Sequence, residues 1–421
     1  MFKRRIAGRP LPVIFLTIFV DLLGFGILIP VIPQLLANPS SEYFLLPSNM
    51  TTGQGFILLG FLTATFSIAQ FIATPILGQL SDRFGRRKLL AISLTGTLIS
   101  YLIFAYGIAT GNLIILFLAR FLDGVTGGNI AVAQAAIADV STPENRAKNF
   151  GLIGAAFGLG FIIGPYIGGK LSDPSIVPWF SATTPFLFAA LLSFINVISI
   201  IIFFPETLKE KNHNLKIKWT RSLTNIYHAS INKELRMIFA TVFLFTAGFT
   251  FFTTFFSVYL IDKFNFSQGD IGDFFAYIGL WVAFTQAVLT GRVSKRFPAY
   301  RIIRYGILVS GIAIFLYLLP EYWWQLLFIV PIFAIGNGLA SANITALVSR
   351  SSGAEIQGEV LGINSSVQAL AMSFPPILSG FIAASISPYA PILIAGGIII
   401  SAGAFFWIFY KPHKIQQVHA E

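Results

Sequence analysis

Residues 78–90 have the sequence Gly78-Gln-Leu-Ser-Asp-Arg-Phe-Gly-Arg-Arg-Lys-Leu-Leu90. This stretch is a short polar turn between two long apolar segments. Gly78 lets two helices approach closely, Gly85 permits a tight turn, and Asp82 can pair with the arginines around it. The pattern predicts a loop that joins two helices at the rim of a larger helical bundle.

The rest of the chain has the composition of a membrane protein. Of its 421 residues, 55% are hydrophobic and 11% are charged, and the mean hydropathy is +0.78. Soluble proteins have roughly a quarter of their residues charged. Apolar runs of about 20 residues, the length that crosses a ~30 Å hydrocarbon core, recur along the whole chain. The bilayer is therefore the solvent of this protein.

The apolar runs are too long for barrel strands, and backbone groups in lipid must be bonded within their own element, so the runs are predicted to be helices. We expect an all-α integral membrane protein with twelve transmembrane helices. Helices 1 to 12 are placed at residues 11–36, 54–80, 88–108, 112–140, 147–171, 184–204, 236–261, 270–294, 301–319, 323–350, 357–386 and 388–410.

The first apolar run follows a basic N-terminus, as a secretory signal would. It is too long for a signal, carries Asp21 and lacks a small-residue cleavage site, so we expect a retained helix. Cysteine is absent, which excludes disulfides, thiolate chemistry and cysteine-ligated metal.

The basic residues indicate how the chain sits in the membrane. The formal net charge is +11, and 25 of the 28 Lys and Arg fall on the side of the N-terminus. The positive-inside rule then places both termini and the central loop in the cytoplasm, in a cytoplasmic (inner) membrane. No basic face interleaved with stacking aromatics is present, so we expect no nucleic-acid partner.

The chain contains an internal repeat. The longest polar interruption, residues 205–235, separates two sets of six helices, at 1–204 and 236–421. Residues 78–85 are echoed by 291–298 at an offset of 213, and Asn129-Ile is echoed by Asn343-Ile at an offset of 214. Repeated bundles of the same orientation are typical of transporters that rock two halves about a midplane site. We expect two pseudo-symmetric six-helix bundles joined by a cytoplasmic loop.

The loop at residues 78–90 resembles the signature loop of the major facilitator superfamily almost residue for residue. In that family the loop is a conformational latch, in which an acid and an arginine join a second acid at the cytoplasmic end of helix 4. An ordinary basic loop is the alternative. The resemblance implies these latch residues: Gly78, Asp82, Arg83, Gly85, Arg86, Arg87 and Asp139.

Helix 5 carries a second pattern, with small residues at every fourth position and a proline that bends the helix. The pattern resembles the antiporter motif of the superfamily, and a generic packing face is the alternative. Its residues are Gly160, Gly164, Pro165, Gly168 and Gly169.

Within the superfamily, the sequence is similar to drug–proton antiporters, especially the tetracycline-efflux type, across nearly the whole N-terminal half. Two positions depart from that type. Ser100 stands where tetracycline exporters have an acid in helix 3, and residues 301–319 of helix 9 contain no acid. The resemblance therefore implies drug export without implying tetracycline–magnesium as the substrate.

Three ionisable side chains lie inside predicted helices, where each costs at least ~2.5–3.5 kcal/mol to insert. Asp21 lies in the middle of helix 1, and Arg120 and Asp123 lie three residues apart in helix 4. Our hypothesis is that Asp21 and Asp123 take up and release a coupling proton while Arg120 opposes their protonation. The alternative is a static Arg120–Asp123 pair that holds helices in register.

The second half has no acid in mid-helix but many aromatic residues. Polar and aromatic side chains of both halves are candidates for an amphiphilic substrate cavity, namely Gln70, Asn129, Phe249, Trp281, Asn343 and Gln368. All four histidines lie in the central loop or the tail, so we expect no metal site and no cofactor. Neither a Walker-type phosphate loop nor a catalytic constellation is found, so we expect neither an ATP-driven pump nor an enzyme.

The leading function is a monomeric, proton-driven antiporter that exports a lipophilic drug-like compound or metabolite from the cytoplasm. One alternative is a proton-coupled importer or a uniporter of a small metabolite, such as an organic acid or a siderophore, on the same scaffold. A non-transporting membrane receptor is a further alternative from another class.

Overall fold

The computed structural model describes residues 10–142, 145–212, 217–231, 233–350 and 357–411. In this part of the chain, twelve helices are long and apolar enough to cross a membrane, and there is no strand. The predicted all-helical fold is confirmed. The expected basic N-terminal residues 3–9 and the tail beyond residue 411 lie outside the described residues.

We number the spanning helices in chain order. They are α1 Pro10–Leu36, α2 Thr52–Phe84, α3 Arg86–Ala109, α4 Leu113–Thr126 with Asn129–Asp139, α5 Arg146–Leu171, α6 Thr184–Phe203, α7 Lys233–Phe264, α8 Gln268–Arg296, α9 Ala299–Leu316, α10 Leu326–Arg350, α11 Gln357–Ser373 with Pro375–Ser385, and α12 Ala390–Phe409. A short helix, Arg221–Ile231, lies between α6 and α7. We call the end of the bundle that carries Pro10 and Phe409 the terminal end.

The turn between α2 and α3 is tighter than the sequence predicted, because α2 runs four residues further and α3 starts two residues earlier. Only Gly85 separates them. Its φ of 103° lies in a region that side chains with a Cβ rarely adopt, and its N–H donates to the Ser81 carbonyl at 3.0 Å. The close helix approach expected at Gly78 is not found, since a Cβ added there would meet no atom within 4 Å.

Three of the predicted continuous helices are interrupted. α4 breaks at Gly127 and Gly128, and the Gln70 amide donates to the Gly127 carbonyl at 3.0 Å. α8 contains one π-helical turn, Thr285–Leu289, and α11 breaks at Phe374 before a Pro-Pro pair. Interruptions of this kind release backbone groups and are frequent at functional sites.

The glycine pattern of α5 packs against α1. A Cβ on Gly164 would lie 2.8 Å from the Gly26 Cα and 2.7 Å from the Leu23 carbonyl oxygen. Gly168 meets the backbone of Ile27 in the same way, one turn further along. Glycine at these positions therefore lets the backbones of α1 and α5 approach more closely than a residue with a Cβ would allow.

Two pairs of helices join the first six helices to the last six. α5 packs on α8, where a Cβ on Gly169 would lie 3.0 Å from the Gly272 Cα, and α2 packs on α11, where a Cβ on Gly380 would lie 2.7 Å from the Phe56 carbonyl oxygen. These contacts lie away from the terminal end. Nearer to it, a Cβ added to glycines of the same four helices would meet no atom within 4 Å, at Gly78, Gly151, Gly291 and Gly362. Among these glycines, the close contacts between the halves thus lie at the end opposite the termini, which we call the closed end, and the positions nearer the terminal end have free space around them.

The α1–α5 interface gives a direct test of this packing. We expect Gly164→Ala to lower the melting temperature of the detergent-solubilised protein, because the new methyl group forces the two backbones apart at a cost of about 1–3 kcal/mol. The matched control is Gly151→Ala in the same helix, where a Cβ meets no atom within 4 Å. That change should be neutral or stabilising, and equal melting temperatures for both variants would contradict the interface.

Candidate functional site

Arg120 and Asp123 form a buried ion pair on the first segment of α4. The Arg120 Nη1 lies 2.9 Å from the Asp123 Oδ2, and the two side chains are 3% and 9% exposed. The guanidinium also lies over the Phe66 ring of α2, 4.4 Å from its centre. The Arg120 Nε is buried and has no hydrogen-bond partner among the described residues. The cation is thus held by one carboxylate and one aromatic face, with a donor unused.

The ion pair borders a small cavity between α1, α3, α4 and α6. Its volume is about 10 Å³, room for about one water molecule. The polar side chains that line it are Ser100, Tyr101, Arg120 and Asp123. The Ser100 hydroxyl, which lines the same cavity, donates to the Thr97 carbonyl at 2.7 Å. The position at which this sequence departs from tetracycline exporters is therefore part of the ion-pair environment.

Asp21 is the second carboxylate inside the spanning part of the N-terminal half, and the residue is half-buried. Its Oδ1 is buried and has no hydrogen-bond partner in the described part of the chain. The Asn129 side chain lies beside this carboxylate, and neither of its amide atoms has a hydrogen-bond partner among the described residues. Asp123 is a further neighbour of Asp21. The two acids thus share one site, in which Asp123 is paired with a cation and Asp21 has no ion-pair partner in the described part of the chain.

Tyr101 of α3 lies near both carboxylates, and no motif or spacing in the sequence indicated it. Its side chain is 3% exposed, and both Asp123 and Asp21 act on it electrostatically. A Cβ on Gly24, three residues after Asp21, would collide with the Tyr101 hydroxyl. The Gly24 position therefore makes room for the phenol beside the acids.

A row of buried polar groups extends from this site towards the terminal end. Thr97 and Thr126 are joined by a hydroxyl–hydroxyl hydrogen bond of 3.0 Å. Thr17, one turn before Asp21, donates to the Asn196 Oδ1 of α6 at 3.3 Å. The Asn196 Nδ2 is buried without a partner among the described residues. None of these residues was a sequence candidate, because buried Thr and Asn in apolar helices are common and carry no spacing signal.

The residues implied for the latch meet at the terminal end. Arg86 Nη1 lies 2.7 Å from the Asp82 Oδ1, and Arg86 Nε lies 3.0 Å from the Asp139 Oδ2. The Thr207 hydroxyl donates to the same Asp139 oxygen at 3.1 Å. Glu206 accepts from the Arg86 N–H at 2.9 Å and was not anticipated from the sequence. One arginine therefore ties the α2–α3 turn to the end of α4.

The other two arginines of the loop do not take part in these ion pairs. Arg83 stacks on the Phe84 ring, 5.3 Å from its centre. Arg87 donates to the carbonyl of Ile201 in the last turn of α6. The loop thus uses Arg86 for charge pairing and its neighbours for contacts at the surface.

The candidate cavity residues are dispersed. Gln70 bonds to the α4 break, and the Asn343 Oδ1 accepts from Ser294 of α8 at 3.3 Å, so both tie helices together. Phe249 of α7 lies between Phe161 of α5 and Phe333 of α10, with ring centres 6.4 Å from each. Trp281 and Gln368 are half-buried. Asn129 alone among the six lies beside the carboxylates.

Two polar contacts join the halves at the closed end. Lys170 at the end of α5 donates to Asp273 of α8 with an N–O distance of 2.8 Å. Gln34 of α1, 2% exposed, donates to the Phe266 carbonyl at 3.3 Å. Both contacts join a residue of the first six helices to a residue of the last six.

Comparisons with known proteins agree with this geometry. The sequence model of the Major Facilitator Superfamily matches residues 14–376 and, in a second match, residues 238–420. The chain is 30% identical over 384 residues to the class C tetracycline resistance protein of Escherichia coli, covering 91% of this chain and 92% of the relative. It is 29% identical over 386 residues to multidrug resistance protein 2 of Bacillus subtilis, covering 91% and 90%.

A solved structure has the same fold. The human organic anion transporter MFSD10 superposes with a TM-score of 0.72 at 22% identity, covering 95% of this chain and 99% of that protein. The family match spans most of the sequence, and its members are transporters that carry out no enzymatic reaction. This chain is therefore a multi-pass membrane protein that belongs to the Major Facilitator Superfamily of secondary transporters.

Proposed function

We propose that the protein is a proton-coupled antiporter that exports a lipophilic compound, a drug or a metabolite, from the cytoplasm. The observation that carries this proposal is the half-buried Asp21 carboxylate, whose buried Oδ1 lacks a partner among the described residues, beside an Asp123 that has one. A carboxylate in that position needs a proton, water or a cation. Arg120 is the nearby cation and has an unused donor.

The proposed coupling is an exchange of charge within this site. While Arg120 is paired with Asp123, the neutral protonated form of Asp21 is the one its surroundings tolerate. Protonation of Asp123 would release the guanidinium and favour ionised Asp21, since an opposite charge stabilises the charged carboxylate. A proton entering one acid therefore favours the loss of a proton from the other.

We propose that the bundles 1–204 and 236–421, joined by the loop 205–235, rock against each other. The support is the unequal packing of α5 on α8 and of α2 on α11, close at one end and open at the other. With both termini in the cytoplasm, as the basic loops favour, the open end faces the cytoplasm. The latch residues Asp82, Arg86 and Asp139 then lie at the cytoplasmic rim, beside the opening.

The substrate class follows from relatives and from chemistry together. Relatives are named for resistance to tetracycline and to multiple drugs. Ser100 and the acid-free α9 argue against a tetracycline–magnesium chelate, which needs anionic ligands. Aromatic rings of both halves, Phe161 and Phe249, meet at the bundle interface, which favours a flat apolar ligand. We propose that one chain forms the complete transport unit.

Replacing Asp21 by Asn tests the proton site. In proteoliposomes with an imposed pH gradient, we expect gradient-driven transport to fall by on the order of 10–100-fold, because the residue can no longer exchange a proton. Substrate exchange without a gradient should persist, which separates coupling from binding. The matched control is Asp262→Asn, which changes an exposed acid in the last turn of α7. Undiminished gradient-driven flux in Asp21→Asn would remove the residue from the mechanism.

The same assay fixes the direction of transport. For an exporter, acidifying the side that receives the substrate drives accumulation there. Accumulation towards the alkaline side would instead indicate symport on the same scaffold.

Variants of the Arg120–Asp123 pair distinguish a static role of the pair from a role in proton coupling. Arg120→Gln should cost about 3–5 kcal/mol of stability, because it leaves a buried carboxylate without its cation. The double variant Arg120→Gln/Asp123→Asn should recover the melting temperature but not gradient-driven transport. Full coupling in the stable double variant would show that the pair only holds helices together.

The closed end can be locked chemically, because the natural chain has no cysteine. Crosslinking a Lys170→Cys/Asp273→Cys pair should stop transport, and reduction should restore it, since the two positions must separate when the other end closes. The control is Tyr305→Cys/Trp407→Cys, whose rings lie 5.4 Å apart on α9 and α12 of one bundle. Transport that continues through the first crosslink would contradict the rocking motion.

A further inference from the structure

A groove at the terminal end lies beside the Asp82–Arg86–Asp139 ion pairs, and none of these three residues lines it. It has a volume of about 380 Å³ and is formed by the α2–α3 turn, the last turn of α6 and the chain that follows α6. Three cations and one acid line it, namely Arg87, Lys88, Lys211 and Glu206. Its other walls are the apolar side chains Phe84, Ala91 and Ile201. We call this cavity the basic groove.

The three cations of the basic groove are not neutralised by protein carboxylates. Within the described ranges, none of them has an Asp or Glu oxygen within 4.0 Å. The one acid, Glu206, accepts through its Oε1 from the backbone N–H of Arg86 at 2.9 Å and of Leu208 at 3.2 Å, so three cations face a single carboxylate. The groove therefore carries an excess of positive charge that an anion would balance.

The cations are positioned by the fold rather than by chance on a mobile surface. Arg87 donates to the Ile201 carbonyl, which fixes the guanidinium against the end of α6. The Asn212 N–H donates to the Asp82 carbonyl at 3.1 Å, which holds the neighbouring Lys211 against the α2–α3 turn. A Cβ on Gly85 would lie 3.2 Å from the Lys211 Cε. Elements distant in sequence thus converge on one anion-sized space.

The basic groove opens onto the apolar flank of the bundle. Ile201 and Ile202 of α6 are 51% and 49% exposed, and Ile92 of α3 is 55% exposed. Exposed apolar side chains on a spanning helix face lipid tails. An anion bound between the cations would therefore sit at headgroup level, with hydrocarbon directly beside it.

We propose that the basic groove binds the phosphate headgroup of an acidic phospholipid, with the acyl chains lying along the exposed isoleucines of α3 and α6. The phosphodiester oxygens would accept from Arg87, Lys88 and Lys211, which no protein acid occupies. The bound anion also lessens the repulsion between these cations and Arg86, the residue that joins Asp82 to Asp139. The lipid would thereby stabilise the latch arrangement seen here.

The test measures lipid retention by the purified full-length protein. Phosphatidylglycerol and phosphatidylcholine are titrated separately into the protein in neutral detergent, and bound lipid is counted by native mass spectrometry alongside the melting temperature. We expect phosphatidylglycerol to bind and to raise the melting temperature. In the triple variant Arg87→Gln/Lys88→Gln/Lys211→Gln, the apparent affinity for phosphatidylglycerol should fall by on the order of 100-fold, the combined effect expected of three juxtamembrane cations.

The matched control removes the same charge at the corresponding place in the other half. Arg292, Lys295 and Arg296 lie in the last turns of α8 and are exposed. Their replacement by Gln should leave phosphatidylglycerol retention unchanged, and the conservative variant Lys88→Arg/Lys211→Arg should bind like the natural protein. Should the triple variant not fold, Lys211→Gln alone, in the loop after α6, gives the same comparison.

Adding inorganic phosphate in place of lipid distinguishes a phospholipid headgroup from a soluble anion. Inorganic phosphate added to the lipid-free protein should give no comparable stabilisation, because it lacks the acyl chains. If phosphate alone reproduces the effect, the groove binds a soluble anion and the lipid proposal is wrong. Equal loss of retention in the groove variant and the α8 variant, or equal retention of phosphatidylcholine, would also overturn it.

Discussion

A carboxylate inside the spanning part of a membrane protein needs a cation, a proton or water, and the N-terminal half is built around that requirement. Arg120 meets it for Asp123 within one helical turn, at 2.9 Å. Removing ions from water is expensive, and the pair recovers that cost only with good geometry and further contacts. Here the further contact is the Phe66 ring under the guanidinium. Among the described residues Asp21 has no such cation, so one site holds a paired acid and an unpaired one.

The features predicted correctly from the sequence depend mainly on residue spacing, on the length of apolar runs and on one motif. The spacing of Arg120 and Asp123 predicted neighbours on one turn, and the structure pairs them. Apolar run length predicted twelve spans, because lipid leaves the backbone no other option. The resemblance to a family loop placed Asp139 with an arginine of that loop, and the structure pairs it with Arg86, 53 residues away in sequence. The roles of these residues in transport remain proposals.

What the sequence did not show depends on tertiary contacts. Tyr101 lies beside the acids because Gly24 leaves it room, and Glu206 reaches the loop because the chain after α6 folds back on it. Neither position has a periodicity or a motif. The break in α4 at Gly127 and Gly128 was not predicted, because glycine is frequent inside transmembrane helices. The carbonyl released at Gly127 accepts from Gln70 of another helix. The expected close approach at Gly78 was wrong because that side of α2 faces open space.

The ionisable site and the interface between the halves are joined physically by α5. One face of α5 lies against α1, where Gly164 meets the backbone of Gly26 just beyond Asp21. Its other face lies against α8, where Ile162 meets Gly279. Both contacts are too close to allow independent sliding, since packed interfaces shift between discrete arrangements.

A change of charge that moves α1 therefore has to move α5, and α5 cannot move without changing its packing on α8. The second half needs no buried acid of its own in this scheme. Its part is to offer a rigid aromatic wall, in which Phe252 and Phe333 lie 5.1 Å apart. The lopsided distribution of charge is thus compatible with motion of both halves, because the coupling passes through backbone contacts.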